Sequence, residues 1–540
     1  MMHDKADWHF EGEFPRELDQ QQAYVPGGLL VAWLTATNFV CWTLWKGKPC
    51  LTMAEPFPSL FFAGAETKRL AACAARNTAM QSWKLAPASP TVASMRPLQT
   101  FLALVALSGA FALSAVARPT ALVGGRLIDG FGGPPLANSV ILIDNERITA
   151  IGQVGTLAVP KDAEVISTEG MDILPGLWDC HVHTMLLGHS DYTHWDKTYP
   201  QRFGTEIMPA AAHQLLMAGV TSARDLGAPL KESIEVRDRI NRGEIPGPTL
   251  YVAGPFIQHE PYPGTEAFRW GVKGAADGRA KVKKLADAGV NIIKLIDQDE
   301  MTMEEVKAVV DEAHARKLPV VAHAHRPEEI RRGLAAGVDD FEHTGLSTAP
   351  GYPDDILKAI AERTAKMNIG PLFWCPTIEG FLNYGRLIEN PESLDDPAWK
   401  LDVPNDIVED IKASIRHPGQ LSYYQNTPLR AATVKKKFHQ LQDSGVVLLV
   451  GTDSGIPMKF HSSSTWHEMD AWVHDIGVDP MATIRAATYW PAVMMKVDKD
   501  YGSVSEGKFA DLIAVKGDVL RYIDLLQCVD LVIKHGHRYK

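Results

Sequence analysis

Residues 318–345 read LPVVAHAHRPEEIRRGLAAGVDDFEHTG. The apolar run Val320-Val321-Ala322 ends on His323, Pro327 stands where a helix takes its first turn, and Gly337 stands where a left-handed residue ends it. A second short segment then closes on His343. Strand, helix, strand, with a histidine at the end of each strand, is the repeating unit to seek elsewhere. Upstream, GVNIIKLI carries Lys294 at the end of an apolar strand, and Thr302-Met303-Glu304-Glu305 is a capping box opening a helix to about Arg316. Working outward, strand candidates end near His183, Arg224, Gly254, Lys294, His323, His343, Thr377 and Asp453, with helical stretches between most of them. Alternation on that scale predicts a (β/α)8 barrel, and polar residues at strand C-terminal ends fall where barrel active sites lie.

Both flanks of this segment have another texture. ALVGGRLIDG, SVILIDNERITAIG and AEVISTEGMDILPG upstream, and ADLIAVKG and VDLVIKHGHRY downstream, alternate apolar residues between Gly, Asn and Asp turns. They predict one small β-sandwich built from both ends. The domain expectation is therefore 118–172 with 496–540 as the sandwich and 173–495 as the catalytic barrel. Residues 379–445, between the seventh and eighth strands, are long enough to be a lid, a specificity element or a structural decoration.

Residues 95–119, MRPLQTFLALVALSGAFALSAVARP, have the layout of a secretory signal peptide: Arg96, an apolar stretch, then Ala115-Val116-Ala117. The expectation is that translation starts at Met95, that 95–117 is a leader, and that 1–94 is an extension arising from misannotation or fusion. The mature protein would then be periplasmic or secreted, without stable membrane insertion. HDKADWHFEGEFPRELDQQQAYVPGGLLVAWL, near the N-terminus, is similar to the opening of a small bacterial domain of unknown function.

With 65 acidic against 54 basic residues and a formal charge of −11, the chain has no concentrated basic stripe, and nucleic acid is excluded as a partner. Six dispersed cysteines without a CxxC pair predict free thiols rather than a disulfide framework.

His181 and His183 form an H-x-H whose period of two puts both rings on one strand face. Lys294, set among Ile, Val and Leu, should have a depressed pKa, and a neutral amine can take up carbon dioxide as a carbamate. With His323, His343 and Asp453 these make six side chains of the kinds that bind zinc and related ions.

The motifs LPGLWDCHVH, GVTSARDLG, AGVNIIKL, VVAHAHRPEEIRRGLAAGVDDFEHTG, GTDSG, AATYWPA and GSVSEGKFADLIAV resemble the amidohydrolase superfamily, in the branch of imidazolonepropionase-like proteins and Xaa-Pro dipeptidases. The resemblance covers roughly 121–540. It implies a distorted (β/α)8 TIM barrel and two divalent ions, most often zinc. His181 and His183 would hold the more buried ion, His323 and His343 the other, carbamylated Lys294 would bridge them, and Asp453 would bind the buried ion and act as general acid/base. His325, on the face of His323, falls outside that ligand set and reads as a substrate contact. Arg224 and Asp225 match a structural motif. The family's Gly-Gly-His after the third strand is not intact, and His259 is the nearest counterpart for substrate binding.

The expected reaction is hydrolysis of a C–N amide bond, in a dipeptide or an N-acyl amino acid, by metal-activated hydroxide. A substrate carboxylate would need a partner, for which Arg386, Arg416, Tyr423 and Tyr424 are candidates. Cyclic amide or lactam hydrolysis is the alternative within enzymes, and a non-catalytic binding protein on the same fold the alternative outside them. A mononuclear deaminase would want a Glu just after His323, and Glu328 is five residues on. A small-molecule amide or peptide is the expected partner, with homo-oligomerisation left open.

Overall fold

The computed structural model describes residues 118–345, 349–366, 370–416 and 425–540, together with the backbone of four strands near the N-terminus. The chain divides into two compact units, Met1–Leu85 and Ala86–Lys540. In the first, Gln21–Val25, Gly28–Leu34, Phe39–Trp45 and Lys48–Thr52 form an antiparallel meander, each strand paired with the next. Residues 95–117, and with them the leader expectation, lie outside the described residues. No helix among the described residues is long and apolar enough to cross a membrane.

The second unit is α/β. Eight parallel strands carry its centre: β1 Leu177–Val182, β2 Val220–Asp225, β3 Thr249–Val252, β4 Ile293–Leu295, β5 Val320–His323, β6 Asp340–Glu342, β7 Phe373–Cys375 and β8 Val447–Leu448. β1 pairs β2 and β2 pairs β3; β4 through β8 pair in sequence. After β3 the chain breaks at Gly254 (φ 66°) and resumes as Phe256–Gln258, which pairs β4 at Ile257 and Leu295. β8 is shorter than its apolar run suggests. Beyond it, Val450 accepts from Cys180 N at 3.0 Å, Asp453 N donates to His181 O at 2.6 Å, and Ser454 accepts from His183 N at 2.9 Å, which joins 450–454 to β1. That approach requires Gly451: a Cβ there would sit 2.8 Å from His181 N and against the Cys375 sulfur.

The helices between strands follow local signals. Thr302 Oγ1 accepts from Glu305 N at 3.2 Å while Glu305 returns a bond to Thr302 N at 2.7 Å, closing the expected capping box of Met303–Ala315. Pro327 opens Pro327–Ala336, and Gly337, at φ 90°, ends it.

Met171–Pro175 pairs antiparallel with Leu512–Lys516, so both ends of the segment share a five-stranded sheet, and Thr120–Val123, Ser139–Asp144, Arg147–Gln153 and Glu164–Ser167 form a second sheet. Leu122, Ile141 and Ile148 of one sheet share an apolar cluster with Ile173, Leu512 and Ile533 of the other. Cys180 and Cys375 are buried and free, whereas Cys528 is disulfide-bonded, which corrects the free-thiol expectation there.

Candidate active site

The C-terminal ends of the parallel strands converge on a cavity of about 320 Å³. β1 delivers His181 and His183 on the face that also carries Asp179. Asp179 is fully buried and locks β1 to the turn before Asp453, accepting from His181 N, Thr452 N, Thr452 Oγ1 and Thr465 Oγ1 at 2.7–3.1 Å. Burial pushes Asp179 up to about 6, against the pull of those donors.

His181 is oriented from behind. Its Nδ1 donates to Glu342 Oε2 at 2.8 Å, which leaves the Nε2 lone pair facing Asp453 Oδ1 at 3.4 Å. Glu342 is held in turn by Arg224, whose guanidinium bonds Glu342 Oε1 at 2.9 Å and Asp340 Oδ2 at 2.6 Å; all three side chains are fully buried. His183 Nε2 lies 3.1 Å from Asp453 Oδ1. His343 leaves β6 at φ 76° and contacts Thr377 Oγ1 through Nδ1 at 2.8 Å. The rings of His323 and His325 lie 4.7 and 4.4 Å from that of His343, the latter stacked at 11°.

Lys294 is fully buried, and its Nζ has no hydrogen-bond partner among the described residues. Burial lowers its pKa, with Glu342 and Asp453 opposing. Burial likewise drives His181, His323 and His343 well below the usual imidazole range and His325 to about 4, so the rings are neutral and able to donate lone pairs. For Asp453, burial opposes ionisation, but His181, His183 and Lys459 outweigh it and hold the carboxylate well below its ordinary range. Four residues at this rim, Asp297, His343, Thr377 and Asp453, adopt positive φ of 49°, 76°, 47° and 64°, a strained conformation that clusters at functional sites.

Of the four groups among the described residues that could hold a cation, two lie at this cavity. His181, His183 and Asp453 form one, and His323, His325 and His343 the other, with ligand atoms within 4.8 Å of one another in each. Nε2 of His181, Nδ1 of His183, Nδ1 of His323, Nε2 of His343 and Nζ of Lys294 are buried and have no hydrogen-bond partner among the described residues. Neutral imidazoles, an ionised carboxylate and orphaned nitrogens are the donor set that a borderline divalent ion takes.

All six sequence-derived ligands and His325 therefore come together. His259 does not: it is exposed and absent from the cavity wall. The chain turns away after Gln258, and Phe256 occupies the wall instead. Arg416 is exposed and also absent from the wall, while the Arg386 side chain, Tyr423 and Tyr424 lie outside the described residues. The 379–445 segment supplies Gly380, Phe381, Tyr384, Asn426 and Arg430 to the wall. Sequence reading did not pick out Asp179, Asp340, Glu342, Thr377, Lys459 or Arg269 as site residues. Asp179, two positions before His181, and Asp340 and Glu342, alternating along β6, carry a period-two signal.

Ligand-type side chains gathered from the ends of parallel strands make a site that could hold a metal ion. The amidohydrolase family profile matches residues 173–538. The ochratoxinase of Aspergillus niger is 25% identical over 506 residues, spanning 84% of this chain and 94% of that protein. A solved Xaa-Pro dipeptidase with methionine bound in its active site is 25% identical at TM-score 0.59, covering 78% of this chain and 100% of that one. The crystal structure of the A. niger ochratoxinase, 23% identical at TM-score 0.58 over 78% of this chain and 96% of that one, shares the fold. The chain belongs to the amidohydrolase family, whose members generally use divalent metals.

Proposed function

We propose that this protein hydrolyses the C–N amide bond of a small dipeptide or N-acyl amino acid, using two divalent ions, zinc by the donor set. The observation that carries the reading is that His183, His323, His343 and Asp453 line one cavity while His181 and Lys294, whose Nζ has no hydrogen-bond partner among the described residues, are fully buried close by. His181, His183 and Asp453 would hold one ion and His323 and His343 the other. Lys294, after its neutral amine adds carbon dioxide and releases a proton, would bridge them as a carbamate. Such ions supply Lewis acidity, which polarises an amide carbonyl and acidifies water.

The remaining work belongs to the chain. Asp453 accepts the proton of the attacking water and delivers it to the departing nitrogen, which cannot leave as an anion. Glu342 keeps His181 in the tautomer that presents Nε2, and Arg224 pulls Glu342 toward its ionised form against the effect of burial. Phe256, Tyr192, Phe381 and Tyr384 wall the cavity and limit water. The relative that holds free methionine in its active site supports an amino acid as one product.

The accompanying fold reading is a (β/α)8 barrel over 173–495 and a β-sandwich from 118–172 and 496–540, supported by the strand pairings and the shared apolar cluster. A leader at 95–117 would place the mature chain in the periplasm or medium.

The test is amino-acid release from a panel of dipeptides and N-acyl amino acids, by protein stripped with chelator and by the same protein after zinc addition. The stripped protein should release none and zinc should restore the rate. Undiminished release by protein that elemental analysis finds metal-free would overturn the reading.

A further inference from the structure

Arg269 stands on the cavity wall, and among the described residues no carboxylate lies within ion-pair distance of it. It opens the short strand Arg269–Gly271, paired parallel with Phe256–Gln258, so Phe256 and Arg269 are register partners. Its guanidinium carbon lies 4.4 Å from the ring centre of Tyr262, 5.0 Å from that of Phe256 and 5.7 Å from that of Phe268. Nη1 donates to Gln258 Oε1 at 3.1 Å, and Nε is buried with no hydrogen-bond partner.

Among the described residues no carboxylate forms an ion pair with Arg269. Asp297, the natural candidate on the cavity wall, is already engaged: Tyr262 donates to its Oδ2 at 2.9 Å and Arg326 to its Oδ1 at 2.9 Å. Asp196 acts only at longer range, and burial pushes it up to about 6 in spite of Arg269. Arg269 is half-buried, and a guanidinium partly withdrawn from water is costly unless an anion or a stacked ring compensates it. Here the rings hold its plane and Gln258 takes one Nη1 hydrogen, which leaves the remaining donors of the fork for something that enters the cavity.

We infer that Arg269 is the receptor for a carboxylate on the substrate, making this chain selective for amides that carry a free acid group. The identity of that substrate as an amide rests on the reading above; the anion site itself does not. The competing role is structural, a cation holding Tyr262 and Phe268 in place, and it predicts equal harm to charged and neutral ligands.

The test uses the full chain and two probes that differ only in charge, N-acetyl-L-phenylalanine and its carboxamide, chosen because Phe256, Tyr192 and Phe381 line the wall. Calorimetric titration of the wild type should show the acid bound about 100-fold more tightly than the carboxamide, as a charge-assisted bidentate contact gives. Arg269→Met should abolish that preference by weakening the acid alone, and Arg269→Lys should restore part of it. A preference that survives Arg269→Met, equal weakening of both probes, or no measurable acid binding by the wild type overturns the inference. Amino-acid release is measured on the same preparations: an Arg269-dependent preference without release sinks hydrolysis of this amide and sustains the carboxylate site.

Discussion

Asp453→Asn should lower kcat at least about 1,000-fold, the scale of losing a positioned acid/base group. Asparagine is the substitution that isolates proton transfer. Asp453 sits at φ 64°, a conformation that asparagine tolerates and alanine resists, so the backbone between β8 and β1 should keep its path. The amide keeps an oxygen that can face His183 and His181, where the carboxylate now lies at 3.1 and 3.4 Å. It cannot take a proton from water near neutral pH or return one to a leaving nitrogen. Single-turnover rates on a cleaved substrate, with elemental analysis of both proteins, check the expectation. A variant within about threefold of the wild-type kcat at equal bound metal would remove Asp453 from proton transfer.

The sequence made legible whatever depends on one segment at a time. Val320-Val321-Ala322 before His323, the capping box at Thr302 and Glu305, and the αL end at Gly337 are local decisions, and each is found where its residues put it. The H-x-H of β1 is legible for the same reason, since strand alternation needs no knowledge of the neighbours. Arg224 matched a motif, yet its partners could not be named, because they lie 116 and 118 residues away and meet it only once the strands assemble. His259 was chosen by closeness in sequence to a missing motif, but the chain passes the cavity at Phe256 and has turned outward by His259. Arg269 had no sequence signal at all: an arginine before Trp270 reads as surface, and only the aromatic box and the engaged Asp297 give it meaning. The long segment in which Arg386 and Arg416 were sought places Arg430 on the wall, a position its sequence neighbours do not mark.

Arg224→Met should cost about 3–5 kcal/mol of stability, the range for breaking a buried ion-pair cluster by removing one partner. Methionine roughly fills the space, so the loss comes from charge rather than from a cavity. Asp340 and Glu342 would be left facing each other, both fully buried, with the guanidinium that now compensates them gone. Burial already raises both carboxyls against the pull of Arg224, and removing Arg224 raises them further. The sign of the pH effect follows. A carboxyl whose pKa is higher in the folded than in the unfolded state binds more protons when folded, so folding gains as pH falls. The gap in unfolding midpoint between wild type and Arg224→Met should therefore narrow from about pH 8 to about pH 5. Protonated Glu342 can no longer accept from His181 Nδ1 as an anion, so the variant should also lose activity at neutral pH even where it remains folded. Arg224→Lys keeps the charge without the fork and should fall between the two. Urea unfolding of the three proteins across that pH range reads the result. A midpoint for Arg224→Met equal to wild type at pH 8, or a gap that widens on acidification, would show that the arginine does not hold the two carboxylates ionised.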